Sequence, residues 1–322
     1  VVDAFEGEKI ATPRFNTMVG DYFAAWAKLI AARGIDPKKV VLQLIDENHT
    51  HEMDRRLIAW ARAIRAGTDA FSLFDDLIWE DPTQALSEIF SMSDILCPMR
   101  AMYGATEKNR AFYRSLRETG KRIWAYSCSG PSRSFDPICY YRSQAWDVFS
   151  CGGDGMGFWA FGCGGGCGDS WRAYWQPSIE YSPYFVSAHD ALRGKQSEAI
   201  MEGVEDFEYL TMLKRRIVLE PDETVRSELR QLLRESLESV GRVVAGSSHW
   251  SANRDREVAD RARIRILRKL ARMKKSGRRT FLAIGDSITA AGVWQRKAGE
   301  LLDDRLDMDF PEEPQVVGSD VV

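Results

Sequence analysis

The sequence VVLQLIDE, at residues 40–47, is a short apolar run that ends in two adjacent carboxylates. The run is rich in β-branched side chains and almost free of polar ones, which is typical of a strand buried on both faces. A helical pattern precedes it at residues 21–33, and another follows at residues 51–65. Alternating helices and buried strands favour a parallel α/β sheet or barrel. Such folds carry their chemistry at the carboxyl ends of strands, which is where Asp46 and Glu47 lie.

The composition is that of an ordinary globular protein. The chain has 322 residues, of which 44% are hydrophobic and 28% charged, and its net charge is -3. This charge gives no overall attraction to nucleic acid, and the basic stretch at residues 251–279 is interpreted as a solvated helix leading into a linker. No apolar run approaches the roughly 18 residues that a membrane-spanning helix needs. We therefore expect neither nucleic acid nor membrane as a partner and no cofactor, while the oligomeric state stays open.

The alternation of strand and helix patterns continues beyond the first run. Further strands are predicted at residues 70–75, 94–98, 122–127 and 155–161. Helices are predicted between the strands at residues 51–66, 82–92, 106–118 and 136–149. Because a complete barrel of eight units takes about 250 residues, we interpret the strands as the last five of a (β/α)8 barrel. The expected fold class is α/β, a partial TIM-type barrel that the chain enters at its third helix.

Three regions are predicted along the chain. Residues 1–165 form the partial barrel, and residues 166–275 form an aromatic-rich loop and a helical extension. Residues 276–322 form a linker and the start of a second α/β segment. Three glycines separate Cys163 from Cys167. This spacing favours a disulfide or free thiols over a metal, because metal sites prefer two-residue gaps and a second pair.

Three motifs between residues 17 and 217 resemble glycoside hydrolase family 123 and its broader relatives. They are LIDE at residues 44–47, DGMGFWA at 154–160 and EGVEDFEYL at 202–210. The resemblance implies a (β/α)8 barrel with exo-acting β-N-acetylgalactosaminidase activity and a glycan substrate. It places the family's adjacent Asp-Glu pair on Asp46 and Glu47.

A second resemblance lies near the end of the sequence. FLAIGDSIT, at residues 281–289, resembles the first block of the SGNH (GDSL-type) hydrolases, and QVVGS, at 315–319, is similar to that fold's second strand. It implies that Ser287 is a nucleophile at a strand-to-helix turn. The family's later Asp-x-x-His and oxyanion blocks do not occur in this sequence, and every histidine precedes Ser287. We therefore expect an incomplete site in which the hydroxyl has no base.

The Asp-Glu pair suits a substrate-assisted reaction. Most glycosidases use two carboxylates on opposite sides of the scissile bond, which neighbours in sequence cannot easily flank. The predicted strands at residues 122–127 and 155–161 end without a carboxylate that could serve as nucleophile. In a substrate-assisted reaction the 2-acetamido oxygen of the sugar attacks the anomeric carbon instead. Asp46 would orient the acetamido group, while Glu47 would protonate the leaving oxygen and later activate water.

Other side chains at the strand ends are candidates for binding the sugar. They are Trp124, Tyr126, Trp159, His49 and Asp75. Aromatic rings line sugar sites because the C–H faces of pyranoses pack on them. Each candidate also has a structural interpretation: the aromatic residues as core, the histidine as a loop residue, and Asp75 as a cap of the following turn.

Two other functions stay open on the sequence alone. The barrel could bind carbohydrate without catalysis, with the Asp-Glu pair as a helix N-cap and structural ion pair. The chain could also be a carbohydrate esterase of the SGNH class that uses the barrel as an accessory module, in which case Ser287 would carry the reaction. A pocket with aromatic walls shared by Asp46 and Glu47 would favour the glycosidase.

Overall fold

The computed structural model describes most of the chain. The described residues are 3–162, 180–244, 249–250 and 253–273. The chain divides into two compact units, which are residues 1–208 with 235–256, and residues 209–234 with 257–322. Cys163, Cys167 and Ser287 lie outside the described residues, as does the SGNH-like segment. Within the described ranges, no helix combines the length and the apolar character needed to cross a membrane.

The regular elements alternate along the barrel region. They are β1 (Ala4–Phe5), β2 (Glu8–Lys9), α1 (Pro13–Ala31), β3 (Val41–Gln43), α2 (His51–Gly67), β4 (Ser72–Asp75), α3 (Ser87–Met92), β5 (Ile95–Leu96), α4 (Arg100–Tyr103), α5 (Glu107–Glu118), β6 (Arg122–Cys128), a π-helical turn (Pro137–Arg142), α6 (Ser143–Cys151) and β7 (Gly155–Trp159). The later elements are β8 (Phe185–Val186), β9 (Ala191–Leu192), α7 (Lys195–Leu219), α8 (Glu223–Val244) and α9 (Val258–Arg272).

Strands β3 to β7 form one parallel sheet in which each strand pairs with the next along the chain. Val41 lies opposite Ser72, and Trp124 opposite Gly155. Parallel strands in sequential order, joined by helices, are the arrangement of a barrel wall. The predicted fold class is confirmed: the sheet is a curled half-barrel of five parallel strands, and helices follow it.

The two faces of the sheet differ in environment. Ile123 and Ala125 of β6 belong to the main hydrophobic core, together with Leu73 of β4 and residues of α1 and α2. Trp124 and Tyr126 alternate with them and are only partly buried. Because successive side chains of a strand point to opposite faces, these two residues mark the inner face, which a half-barrel leaves open.

Helix α1 begins earlier than the apolar pattern indicates, because a cap precedes it. Thr12 accepts the backbone N–H of Phe15 at 3.1 Å, and Pro13 occupies the first turn. The helix also approaches α2 closely. A Cβ atom on Gly67 would lie 2.1 Å from the carbonyl oxygen of Gly20, so the two backbones touch where only glycine fits.

The EGVEDFEYL motif has a structural explanation in the first half of α7. The buried Arg142 guanidinium donates to Asp206 at 2.7 Å and to Glu202 at 2.8 Å. The indole of Trp146 also donates to Asp206, at 2.8 Å. A Cβ atom on Gly203 would lie 2.9 Å from the carbonyl oxygen of Arg142. The motif therefore fastens α7 to the π-helical turn through a buried ion pair and a close backbone contact.

Candidate active site

Asp46 and Glu47 lie just beyond the C-terminal end of β3. The preceding residues, Leu44 and Ile45, are buried in the core and fix the start of this loop. Asp46 is exposed and Glu47 is partly buried. Thr50 then caps α2 by accepting a backbone N–H of its first turn. The predicted burial of this strand on both faces is wrong: Val41 and Gln43 are exposed, because β3 is the edge strand of the sheet. The pair is held instead between the two buried residues that follow β3 and a capped helix.

The backbone of Glu47 has an unusual conformation. Its φ of 50° lies in the left-handed region, which costs about 1 kcal/mol or more for a residue other than glycine. Two hydrogen bonds hold this turn. The N–H of Glu47 donates to Oδ1 of Asp76 at 3.3 Å, and Nδ1–H of His49 donates to the Glu47 carbonyl at 2.7 Å. His49 therefore supports the loop, and its ring is otherwise exposed.

Asp76, from the end of β4, connects the two acids through Gln43. The side-chain nitrogen of Gln43 donates to Oδ2 of Asp76 at 2.7 Å and to Oδ1 of Asp46 at 3.1 Å. Asp76 also accepts the Glu47 N–H. Asp76 therefore contacts Glu47 directly and Asp46 through the side-chain amide of Gln43. The sequence offers Asp76 only as the neighbour of Asp75, and its role depends on which face of β4 it occupies.

The hydroxyl of Tyr126 reaches Glu47 from β6. It donates to Oε1 of Glu47 at 2.5 Å. Burial, the hydrogen bond to Glu47 and the charge of Glu47 all raise the pKa of Tyr126, so the phenol is a protonated donor at neutral pH. The predicted sugar-stacking residue is therefore bonded directly to a predicted catalytic residue. Three strands, β3, β4 and β6, bring their carboxyl ends to this one cluster.

Asp76 holds a proton more readily than an ordinary aspartate. Burial raises its pKa to about 6, and the charge of Asp46 adds to the effect. The hydrogen bonds from Glu47 and Gln43 act in the opposite direction. The cluster therefore contains a carboxyl group that titrates just below neutral pH.

Asp75 does not face the cluster. Its side chain is 0% exposed, and within the described residues neither carboxyl oxygen has a hydrogen-bond partner. Burial, followed by the charges of Asp76 and Asp54, raises the pKa of Asp75 well above the usual range. The strand alternation places Asp75 on the helix side with Leu73. Asp75 is therefore closed to a substrate, which corrects its prediction as a binding residue, and Asp76 is the carboxylate that faces the site.

The two tryptophans differ in how accessible they are. Trp124 lies on the inner face beside Phe74, with ring centroids 6.0 Å apart. A Cβ atom on Gly155 would lie 2.8 Å from the indole, so the glycine on β7 makes room for this ring. Trp159, at the end of β7, is 57% exposed. Of the two, Trp159 is the ring that is open to a ligand in this structure.

A buried carboxylate supports the loop that follows Glu47. Asp54 is 0% exposed and accepts from the side chain of Asn48 at 2.9 Å, the indole of Trp79 at 3.2 Å and the N–H of Leu86 at 2.9 Å. These donors come from the loops after β3 and β4, so Asp54 ties both loops to α2.

Within the described parts of the chain, no group of three or more His, Cys, Asp and Glu side chains is arranged to hold a metal ion.

Comparison with known proteins gives little beyond this geometry. No family model matches the chain. No curated protein matches it. Among solved structures, it is similar to the endo-β-1,4-mannanase from Thermotoga petrophila, with a TM-score of 0.39 and 15% sequence identity. The match covers 61% of this chain and 51% of the mannanase chain, so it spans about half of that protein. A likeness of this degree bears on neither substrate nor mechanism, and the resemblances to family 123 and to the SGNH hydrolases stay predictions.

Proposed function

We propose that this protein is a glycoside hydrolase that removes terminal β-linked N-acetylhexosamine, of the N-acetylgalactosamine type, by a substrate-assisted retaining mechanism. The observation that supports it is the cluster at the ends of β3, β4 and β6. There Asp46 and Glu47 lie side by side, and each has a partner of its own: Gln43 for Asp46 and Tyr126 for Glu47.

The reaction divides between the two acids. Asp46 is exposed, and it accepts the N–H of the 2-acetamido group, which directs the acetamido oxygen at the anomeric carbon. That oxygen attacks, the glycosidic C–O bond breaks, and Glu47 gives its proton to the leaving oxygen. Glu47 then takes a proton from the water that opens the cyclic intermediate. The attack and the later hydrolysis each invert the anomeric carbon, so the overall reaction retains its configuration.

The surrounding residues fit this division of roles. The Tyr126 hydroxyl fixes one oxygen of Glu47, leaving the other for the substrate. Asp76 and Gln43 hold the loop and the orientation of Asp46. Trp159, exposed at the end of β7, offers a face on which a sugar ring packs.

A comparison of three aryl glycosides tests the mechanism. The protein should hydrolyse p-nitrophenyl β-N-acetylgalactosaminide, and the N-acetylglucosaminide more slowly. It should not hydrolyse the β-galactoside, which has a hydroxyl in place of the acetamido nucleophile. NMR of the first product should show the β-anomer. Cleavage of the galactoside at a similar rate, or an α-anomer first, would reject the substrate-assisted route.

Matched variants test the residues. Glu47→Gln should lose activity, while Glu52→Gln, which removes an exposed carboxylate bonded to Arg56 on α2, should keep it. If none of the glycosides is hydrolysed but the sugars still bind, the non-catalytic barrel becomes the better description. Hydrolysis of p-nitrophenyl acetate that disappears in Ser287→Ala would favour the esterase instead.

A further inference from the structure

A cavity of about 600 Å³ lies beside the C-terminal end of β6, separate from the acid cluster. Its wall is formed by α4 and the turn after it, by Ser127, Cys128 and Ser129, and by α6. None of the clustered acids lines it, yet its wall begins one residue after Tyr126. Ligand pockets commonly measure about 300–1,000 Å³, so the cavity is large enough for a sugar unit.

Arg100 lines this cavity with part of its guanidinium unused. Its Nη1 atom donates to the carbonyl of Tyr140, the hydroxyl of Ser143 and the carboxylate of Asp147, each at 3.3 Å. Within the described residues, Nε and Nη2 of Arg100 have no acceptor. These two nitrogens form the edge of a guanidinium that binds a carboxylate or sulfate with two parallel hydrogen bonds.

Arg110 supplies a second donor to the same wall. Its Nε donates to Glu107 at 2.9 Å, and its Nη1 to the carbonyl of Gly104 at 2.5 Å, which leaves Nη2 without an acceptor in the described part of the chain. Asp147 is the carboxylate among the lining residues, and it already accepts from Arg100. The lining therefore has two guanidinium groups against one carboxylate, and serine hydroxyls add neutral donors.

We propose that this cavity binds an oxyanion, a carboxylate or a sulfate group, carried by the sugar next to the one that is removed. The substrate would then be an acidic glycan in which N-acetylhexosamine is followed by a uronic acid or a sulfated sugar. The anion site rests on the free Nε and Nη2 of Arg100 and on the free Nη2 of Arg110. Its connection with a glycan also rests on the proposed function.

Direct titration tests the anion site without any need for catalysis. Sodium glucuronate, sodium sulfate and glucose are titrated into the full chain at constant ionic strength, and binding is followed by calorimetry. We expect glucuronate or sulfate to bind and glucose to bind far more weakly. The tighter binder of the two anions shows whether the cavity prefers a carboxylate or a sulfate. Equal binding of glucose and both anions would overturn the proposal.

Three arginine variants make the titration specific. Arg100→Gln and Arg110→Gln should each raise the dissociation constant of the preferred anion about tenfold or more, because a charge-assisted hydrogen bond is lost. Arg62→Gln should leave it unchanged, since Arg62 is paired with Glu88 on the surface and does not line the cavity. Thermal unfolding of each variant establishes that it is folded. Equal effects of all three substitutions would reduce the site to general electrostatic attraction and reject it.

Hydrolysis of two disaccharides tests the connection with the glycan. One carries glucuronate as the leaving sugar and the other carries glucose, both β-linked to N-acetylgalactosamine. The KM for the acidic disaccharide should be the lower one, and Arg110→Gln should raise it at least fivefold more than the KM for the neutral one. Equal KM values with intact anion binding would show that the anion is not part of the substrate. Absence of hydrolysis with intact anion binding would reject the proposed function and leave the anion site standing.

Discussion

Asp46 and Glu47 are neighbours in sequence, but they contact different groups, so their substitutions should have different kinetic consequences. Glu47→Gln removes the proposed proton donor and should lower kcat/KM about 10²–10⁴-fold for alkyl glycosides. The loss should be smaller for p-nitrophenyl glycosides, whose leaving group needs little protonation. Asp46→Asn should lower both rates equally, because acetamido orientation precedes departure of either group. The measurement is kcat/KM for each variant on both substrates, and the same leaving-group dependence in both variants would contradict these roles.

Asp76 should determine the acidic side of the pH profile. Its raised pKa, about 6, means that the group is ionised above this pH and protonated below it. A protonated Asp76 has one oxygen fewer to accept from Gln43 and from the Glu47 N–H, so kcat/KM should fall as the pH drops through about 6. In Asp76→Asn this limb should be absent, although the plateau is lower. A limb at the same pH in that variant would assign the titration to another group.

The candidate site was predictable from sequence as far as two carboxylates that follow a strand, although that strand, β3, is an exposed edge strand and not the buried strand predicted. Which member of the Asp75–Asp76 pair faces the site was not, because a shift of one residue in a strand exchanges its two faces. The register that buries Asp75 is fixed by pairing of β4 with its neighbours, for example Phe74 with Ile95. This pairing joins residues that are distant in sequence, so the local sequence around Asp75 does not predict it. The Tyr126–Glu47 hydrogen bond likewise joins strands distant in sequence.

At the scale of elements, the contact between α1 and α2 is the most sensitive to an added methyl group. Gly67→Ala places Cβ against the backbone of Gly20, so the helices must separate, and we expect a loss of about 1–3 kcal/mol in the free energy of unfolding. Gly241→Ala, in open space on α8, should instead gain up to about 1 kcal/mol from helix propensity. Urea denaturation of both variants makes the comparison. A higher free energy of unfolding in both variants would mean that α1 moves away from α2 without loss of stability.

The strands of the parallel sheet were the most predictable elements, because each is a β-branched or aromatic run bounded by turn residues. All five lie within the predicted ranges except β6, which continues one residue further to Cys128. The two-residue strands β1, β2, β8 and β9 were not predicted. Residues 136–149, predicted as a single helix, are instead a π-helical turn followed by α6. The turn allows Arg142 to reach Glu202 and Asp206 of α7, a tertiary contact that local periodicity does not reveal.

For the whole molecule, the buried Asp75 should make stability depend on pH. Its pKa in the folded state lies well above the unfolded value of 3.8, so the folded protein binds more protons over that interval. The free energy of unfolding should therefore fall as the pH rises from about 4, and Asp76, whose pKa is raised to about 6, adds to this fall. In Asp75→Asn the fall should be smaller. Urea denaturation between pH 4 and 8 measures it, and identical slopes would contradict the burial argument.

The half-barrel places its acid cluster close to one edge of the sheet. In the described part of the chain, β3 pairs on one side with β4 and has no strand on the other. Asp46 and Glu47 follow this outermost strand, so the site is walled by β4 and β6 on one side only. Whatever packs beside β3 would form the opposite wall and help to select the substrate of the proposed reaction.

Gln43 differs from a glutamate by a single atom, and that atom is the nitrogen which Asp46 and Asp76 share. Hydrolysis of this amide, the slow reaction by which glutamines age, would leave the shape of the side chain intact and put an acceptor where both neighbours require a donor. Stored protein should therefore lose activity in step with deamidation at position 43, without unfolding. Peptide mass mapping of aged samples, together with assays of the proposed hydrolysis, would show it, and activity that is lost while Gln43 stays an amide would contradict it.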